Sequence, residues 1–93
     1  MDSNFSYRPN KKRSAQGQTD RGSLLVLHND DINSIEYVME VLEEVCDHSI
    51  TQAEQCAMIT HYNGKCEILN RNTGELKMIR KELAARGLTV TIE

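Results

Sequence analysis

Apolar positions along this chain follow two different periods, and before residue 23 they almost disappear. Leu24-Leu25-Val26-Leu27 is a continuous apolar run. It predicts a short strand, covered on both faces or central in a small sheet. From Ile35 the period changes: Ile35, Val38, Leu42 and Val45 recur at spacings of three and four, with Glu36, Glu40, Glu43 and Glu44 largely off the stripe. This is the signature of a surface helix packed by one face. Asn33 suits its N-cap, and Glu36 follows three residues on, as in a capping box.

Asp47-His48-Ser49 interrupts that stripe, and Ser49 with Gln52 repeats the capping logic for a second helix. Its inner face, Ala53, Cys56, Ala57 and Thr60, is made of small residues, so a neighbour can approach closely. Asn63-Gly64 closes it, with Gly64 supplying a left-handed terminal conformation. Cys66 to Leu69 reads as a short strand. Asn72 and Glu75 stand in capping-box spacing ahead of Leu76, Ile79 and Leu83 on one face of a third helix, which Gly87 ends. Leu88-Thr89-Val90-Thr91-Ile92 alternates strictly and is rich in β-branched residues, as in a final strand. The order β-α-α-β-α-β predicts an α+β two-layer domain with three helices on one face of a three-stranded sheet.

Charge divides the chain where the periodicity begins. Residues 1–22 carry five basic and two acidic residues and almost no aliphatic side chains. Such a composition cannot offset the entropy of ordering, so it predicts a flexible N-terminal extension, leaving residues 23–93 as the core domain. That domain holds six basic and twelve acidic residues. An acidic body argues against nucleic-acid binding, which needs a basic surface on the folded part. Apolar runs are too short for a membrane span, and the N-terminus lacks an apolar signal core, so a cytoplasmic location is expected. Cys46, Cys56 and Cys66 are odd in number and lack CxxC spacing; they suggest small core residues rather than a disulfide framework or a zinc site.

Chemistry concentrates where the first strand ends. His28-Asn29-Asp30-Asp31 places an amide and two carboxylates between an apolar strand and an apolar helix face. Acceptors on a short loop beside an aliphatic surface suit a cation attached to something greasy, as in a free protein N-terminus with a bulky first residue. An α-amino group is mostly protonated at neutral pH, its reference pKa being about 7.7–8.0. Recognising it needs a carboxylate for charge, with an amide oxygen and a neutral imidazole nitrogen for direction. His61, near the negative end of the second helix, supplies the imidazole if that end packs beside the Asn29 loop. Turn formation alone also accounts for Asn29-Asp30-Asp31, and a helix C-terminal role for His61. His28, Asp30, Asp31 and His61 lack a recognised metal-ligand spacing. No nucleophilic triad or phosphate loop is distinguished, so neither a catalytic residue nor a cofactor is expected.

Taken together and in order, Leu25-Val26-Leu27-His28-Asn29-Asp30-Asp31, Ile35-Glu36-Tyr37-Val38, Val41-Leu42, Ala53-Glu54-Gln55 and His61-Tyr62-Asn63-Gly64-Lys65-Cys66 resemble ClpS, the bacterial adaptor of the N-end rule pathway. The resemblance covers residues 23 to 93. It implies a non-enzymatic adaptor that binds proteins beginning with Leu, Phe, Tyr or Trp and hands them to a Clp AAA+ unfoldase of the ClpA or ClpC type. Carried over by position, Asn29, Asp30 and His61 would hold the α-amino group. Asn33, Ile35, Val38, Ala57, Thr60 and Leu88 would shape the side-chain pocket, and the N-terminal extension would engage the unfoldase. Ile35 stands where the family commonly has Met, and Ala57 and Thr60 where larger or more apolar residues are frequent, which implies a wider, more polar pocket. The segment after Lys65 is shorter than in many members, so unfoldase-docking residues are not carried over. The alternative reading is a non-catalytic protein-interaction domain without such a pocket; a small metal- or acid-dependent hydrolase is a third.

Overall fold

The computed structural model describes residues 22–93, so the extension predicted for residues 1–22 lies, apart from Gly22, outside the described residues. The described residues form β1 (Ser23–His28), α1 (Ile35–Cys46), α2 (Ile50–Asn63), β2 (Lys65–Arg71), α3 (Thr73–Ala85) and β3 (Thr89–Ile92). This is the predicted α+β order. The sheet runs β2-β1-β3 with both neighbours antiparallel to β1. The continuous apolar run therefore occupies the centre, where both edges of the strand are paired.

Leu25 and Leu27 point to one face and pack with Val41, Leu42 and Cys46 of α1, Ala53 and Cys56 of α2, and Leu76 and Leu83 of α3. All three helices thus cover the same face of the sheet. Val26 points the other way, between Glu67 and Thr91 on the flanking strands, and is still 2% exposed. Fully burying each aliphatic side chain contributes roughly 1.5–3 kcal/mol. The register slips between Leu25 and Val26: Leu25 faces Leu69 while Val26 faces Glu67. Ile68 is the extra residue, as in a β-bulge, so Ile68 and Leu69 both reach the core despite being adjacent.

Capping followed the sequence in α2 and α3 but shifted in α1. Ser49 accepts from Gln52 N, and Asn72 Oδ1 accepts from Glu75 N. The N-cap of α1 is Ser34, whose hydroxyl accepts from Tyr37 N at 3.0 Å, and not Asn33. Asn33 is occupied elsewhere, since its side-chain amide donates to Asp30 Oδ2 and to the Gly87 carbonyl, each at 2.9 Å. The stripe of α1 also sits further round than expected: Val41, Leu42 and Cys46 are buried, while Ile35 and Val38 are only half-buried. Gly64 ends α2 at φ 98°, a conformation that costs glycine little. No helix among the described residues is long and apolar enough to cross a membrane.

Candidate functional site

β1 must end where Asn29 and Asp30 begin to compete for the backbone. Asn29 N still donates to Gly64 O at 2.9 Å, which extends the β1–β2 ladder by one bond. That bond ties the loop after β1 to the C-terminal cap of α2. Five residues after Asn29, Ser34 caps the start of α1. The end of β1, the start of α1 and the end of α2 therefore meet at one corner of the domain.

A cleft of about 310 Å³, counting its open mouth, lies at this corner; it is lined by Leu27, His28, Asn29, Asp30, Asn33, Ile35, Val38, Ala57, Thr60 and His61. Asn29, Asp30 and His61 stand with it at the exposed side, whereas Ala57 and Thr60 are 3% and 5% exposed and form the inner wall. Ile35 and Val38, one turn apart on α1, supply the aliphatic side opposite α2. Both are half-buried, and Val38 also packs against the core.

Of the residues suggested by the sequence, Leu88 is placed differently: it lies in the core, 4% exposed, and is not part of the lining. Its N–H donates to Leu83 O, which closes the α3 terminus and turns the side chain into the interior. Asp31 is exposed and also outside the lining. Leu27 and His28 line the cleft without having been expected there. Strand alternation held the signal for Leu27, since it is the last inward residue before the loop. His28 gave none, and its Nε2 is within 2.8 Å of Thr91 Oγ1 on β3.

Asp30 organises the mouth. Its Oδ1 accepts from Ile32 N and Asn33 N, both at 2.8 Å, and its Oδ2 accepts from Asn33 Nδ2. The Asn33 backbone bond is the main reason the carboxyl is held below its ordinary range; slight burial opposes this, and the bonds from Asn33 Nδ2 and Ile32 N reinforce it. The charge is thus fixed in place before any ligand arrives. A carboxylate offers about four lone-pair sites, and three internal donors leave Oδ2 able to accept one more. Asn33 then anchors the whole loop, because its second amide hydrogen reaches Gly87 O on the turn between α3 and β3. Tyr37 OH donates to Arg86 O at 2.6 Å, and Arg86 pairs with Glu44 at 2.8 Å, so α1 itself is fastened to the same turn in two places.

His61 stands at the last turn of α2, packed edge-on against Tyr62 with ring centroids 4.8 Å apart. The negative end of α2 and the Asp30 carboxylate both favour a cation at the mouth, while the positive end of α1 opposes it. The full charge of Asp30, with Glu36 in the first turn of α1, outweighs a partial helix charge. Among the described residues, no three His, Cys, Asp or Glu side chains converge to hold a metal ion. What the arrangement can hold is an ammonium at the rim and an apolar group between α1 and α2.

The family model of the ATP-dependent Clp protease adaptor protein ClpS matches residues 19–91. Curated relatives named ATP-dependent Clp protease adapter protein ClpS include one from Pectobacterium carotovorum, 33% identical over 64 residues, and one from Serratia proteamaculans, 31% identical over the same length. Each alignment covers 67% of this chain and 60% of the relative. The chain therefore spans about three fifths of the length of the curated relatives it matches.

Proposed function

Because the chain belongs to the ClpS family of Clp protease adaptors, we propose that its cleft binds the free N-terminus of proteins that begin with a bulky apolar residue, for delivery to a Clp AAA+ unfoldase of the ClpA or ClpC type. The observation that carries this reading is the pairing of a prefixed carboxylate at an exposed mouth with an aliphatic wall behind it. An α-ammonium donates to Asp30 Oδ2, to the Asn29 side-chain oxygen and to an unprotonated His61 ring nitrogen. The first side chain enters between Ile35 and Val38 on one side and Ala57 and Thr60 on the other. Asn33 acts as a brace on Asp30.

Magnitudes decide how the affinity divides. The mouth is wet, so a bare ion pair contributes only about 0–1 kcal/mol. Directed hydrogen bonds to a charged group contribute about 1.5–3 kcal/mol, and burying a Leu or Phe side chain a similar amount. Neither half suffices alone, which makes binding depend on both the amine and the side chain. Ile35 is β-branched and stiff at χ1, so it excludes first residues that branch at Cβ. The protein is a cytoplasmic adaptor without catalysis of its own, and residues 1–22 engage the unfoldase.

Fluorescence anisotropy with peptides identical except for their first residue tests this. Free Leu and free Phe are expected to bind, with loss on N-acetylation of Leu and on replacement by Val. Equal affinity for the free and acetylated peptides would overturn the reading in favour of an interaction domain without an N-terminal pocket.

A further inference from the structure

The outward face of α2 changes character beside the cleft. In its first turns the outward residues are Thr51, Gln52, Glu54 and Gln55, with Ile50 alone among them apolar. In its last turns they include Met58, Ile59 and Tyr62, which are 37%, 43% and 72% exposed. Single apolar residues on a surface need no explanation, but these three are neighbours. Tyr62 follows Met58 by four residues and Ile59 by three, the spacings at which helical side chains meet. The core does not use them, since α2 is buried through Ala53, Cys56, Ala57 and Thr60.

Their position round the helix joins them to the cleft. An α-helix turns by about 100° per residue. Starting from Thr60, the order round α2 is therefore Ala57, His61, Met58, Tyr62 and Ile59, in steps of about 40–60°. Exposure follows that order: Thr60 and Ala57 form the inner wall, His61 stands at the rim, and Met58 and Tyr62 come next on the outside. The Tyr62 ring is held edge-on to His61, with centroids 4.8 Å apart. An apolar path thus leads out of the cleft, over the imidazole and along the outside of α2.

We propose that Met58 and Tyr62 form a second subsite, which takes an apolar side chain at the third position of a protein N-terminus held in the cleft. This subsite rests on the N-terminal reading. With the α-ammonium at Asp30 and His61 and the first side chain inside, the rest of the bound chain leaves across the rim. An extended chain rises about 3.3 Å per residue, and its side chains alternate in direction. The second side chain therefore points to solvent, and the third returns to the surface about 7 Å from the first. Neighbouring side chains on a helix lie about 5–6 Å apart, so one step past His61 sets the third residue against Met58 and Tyr62. A thioether beside an aromatic ring suits another aromatic ring best. Ile32 is exposed too, on the loop where its N–H donates to Asp30 Oδ1, but it stands singly and offers no such pair.

Three labelled peptides that begin Leu-Ser-Ser, Leu-Phe-Ser and Leu-Ser-Phe, and are otherwise identical, are titrated with the full chain by fluorescence anisotropy. Leu-Ser-Phe is expected to bind about fivefold more tightly than Leu-Ser-Ser, and Leu-Phe-Ser no more tightly. That preference, read as a ratio of affinities, should fall to about twofold or less in Met58→Ser and in Tyr62→Ser, and persist in Ile32→Ser. A change at Tyr62 that acts only through His61 weakens both peptides and cancels in the ratio. Equal affinities for Leu-Ser-Ser and Leu-Ser-Phe, a preference at the second position instead, or a ratio that moves only in Ile32→Ser would overturn the subsite and leave the cleft standing. N-acetylated Leu-Ser-Phe separates the two readings. If it binds as tightly as the free peptide, or if no free-Leu peptide binds, the N-terminal reading fails and the subsite falls with it.

Discussion

The two ends of α1 are built on opposite terms. At its N-terminal end, the polar groups of Asp30 and Asn33 satisfy one another and the Gly87 carbonyl, and they do so beside water. At its C-terminal end, Asp47 sits at φ 58° and His48 is 6% exposed, with Nε2 donating to Ile68 O at 2.9 Å and Nδ1 buried without a partner. The first end is preorganised and unstrained, which suits a surface that must meet a ligand unchanged. The second carries a left-handed residue and an orphaned acceptor, and its stability depends on solution conditions. At the proposed site the polar atoms are paired; where the backbone only turns a corner, cost is tolerated.

Breaking the satisfied end should give the largest effect. Asp30→Asn keeps an oxygen for the two backbone donors, yet it removes the charge and sets one amide against the Asn33 amide. A free-Leu peptide is expected to bind roughly thirtyfold more weakly, about 2 kcal/mol by anisotropy, in a chain that still melts cooperatively. Next comes Asn33→Ala, which frees the loop from both Asp30 Oδ2 and the α3–β3 turn. It should cost about 1–2 kcal/mol in urea unfolding and weaken the same peptide about tenfold, although Asp30 itself is untouched. Full peptide affinity in Asn33→Ala would show that the brace does not matter.

The other end is sharpened by pH. Burial, its first cause, holds His48 below the ordinary 6.5; Arg71 adds to this, while the Ile68 carbonyl and Asp47 oppose it. The unfolded chain therefore takes up this proton at a higher pH than the folded chain. Stability is complete above about pH 6.5 and is lost as pH falls below it, with a limiting slope of about 1.4 kcal/mol per pH unit for one proton. His48→Gln should flatten Tm between pH 7.5 and 5.5; an unchanged slope would place the acid sensitivity elsewhere. Asp30 falls in a separate window: its carboxyl lies below the ordinary 3.8, so its small contribution persists above that value and disappears only at lower pH. The smallest change is a gain. Asp47→Gly relieves the left-handed conformation and should stabilise the chain by up to about 1 kcal/mol in the same urea titration, leaving peptide affinity unaltered.

Local signals and tertiary partners part company at identifiable residues. The caps at Ser49 and Asn72 and the Gly64 terminus were legible because each is settled within four residues by a backbone donor and its nearest acceptor. Asn33 and Ser34 are both good capping residues, and nothing local tells them apart. The Gly87 carbonyl, 54 residues away, takes Asn33 and leaves the cap to Ser34. Likewise, Leu88 was readable as apolar but not as interior rather than lining, since the closure of α3 onto Leu83 O sets its direction.

By itself the sequence determined the order and kind of every element from β1 to β3, the apolar faces, and a group of acceptors at the end of β1. Those follow from periodicity and short-range hydrogen bonding, which act within a turn or a strand. Only the tertiary structure decided that the loop after β1 meets the end of α2, that Asp30 arrives with its carboxylate already held, and that Asn33 reaches the Gly87 carbonyl. Each of these joins residues that the chain separates, and such contacts form only once burial of Leu25, Leu27, Leu42 and their neighbours has brought helices and sheet together.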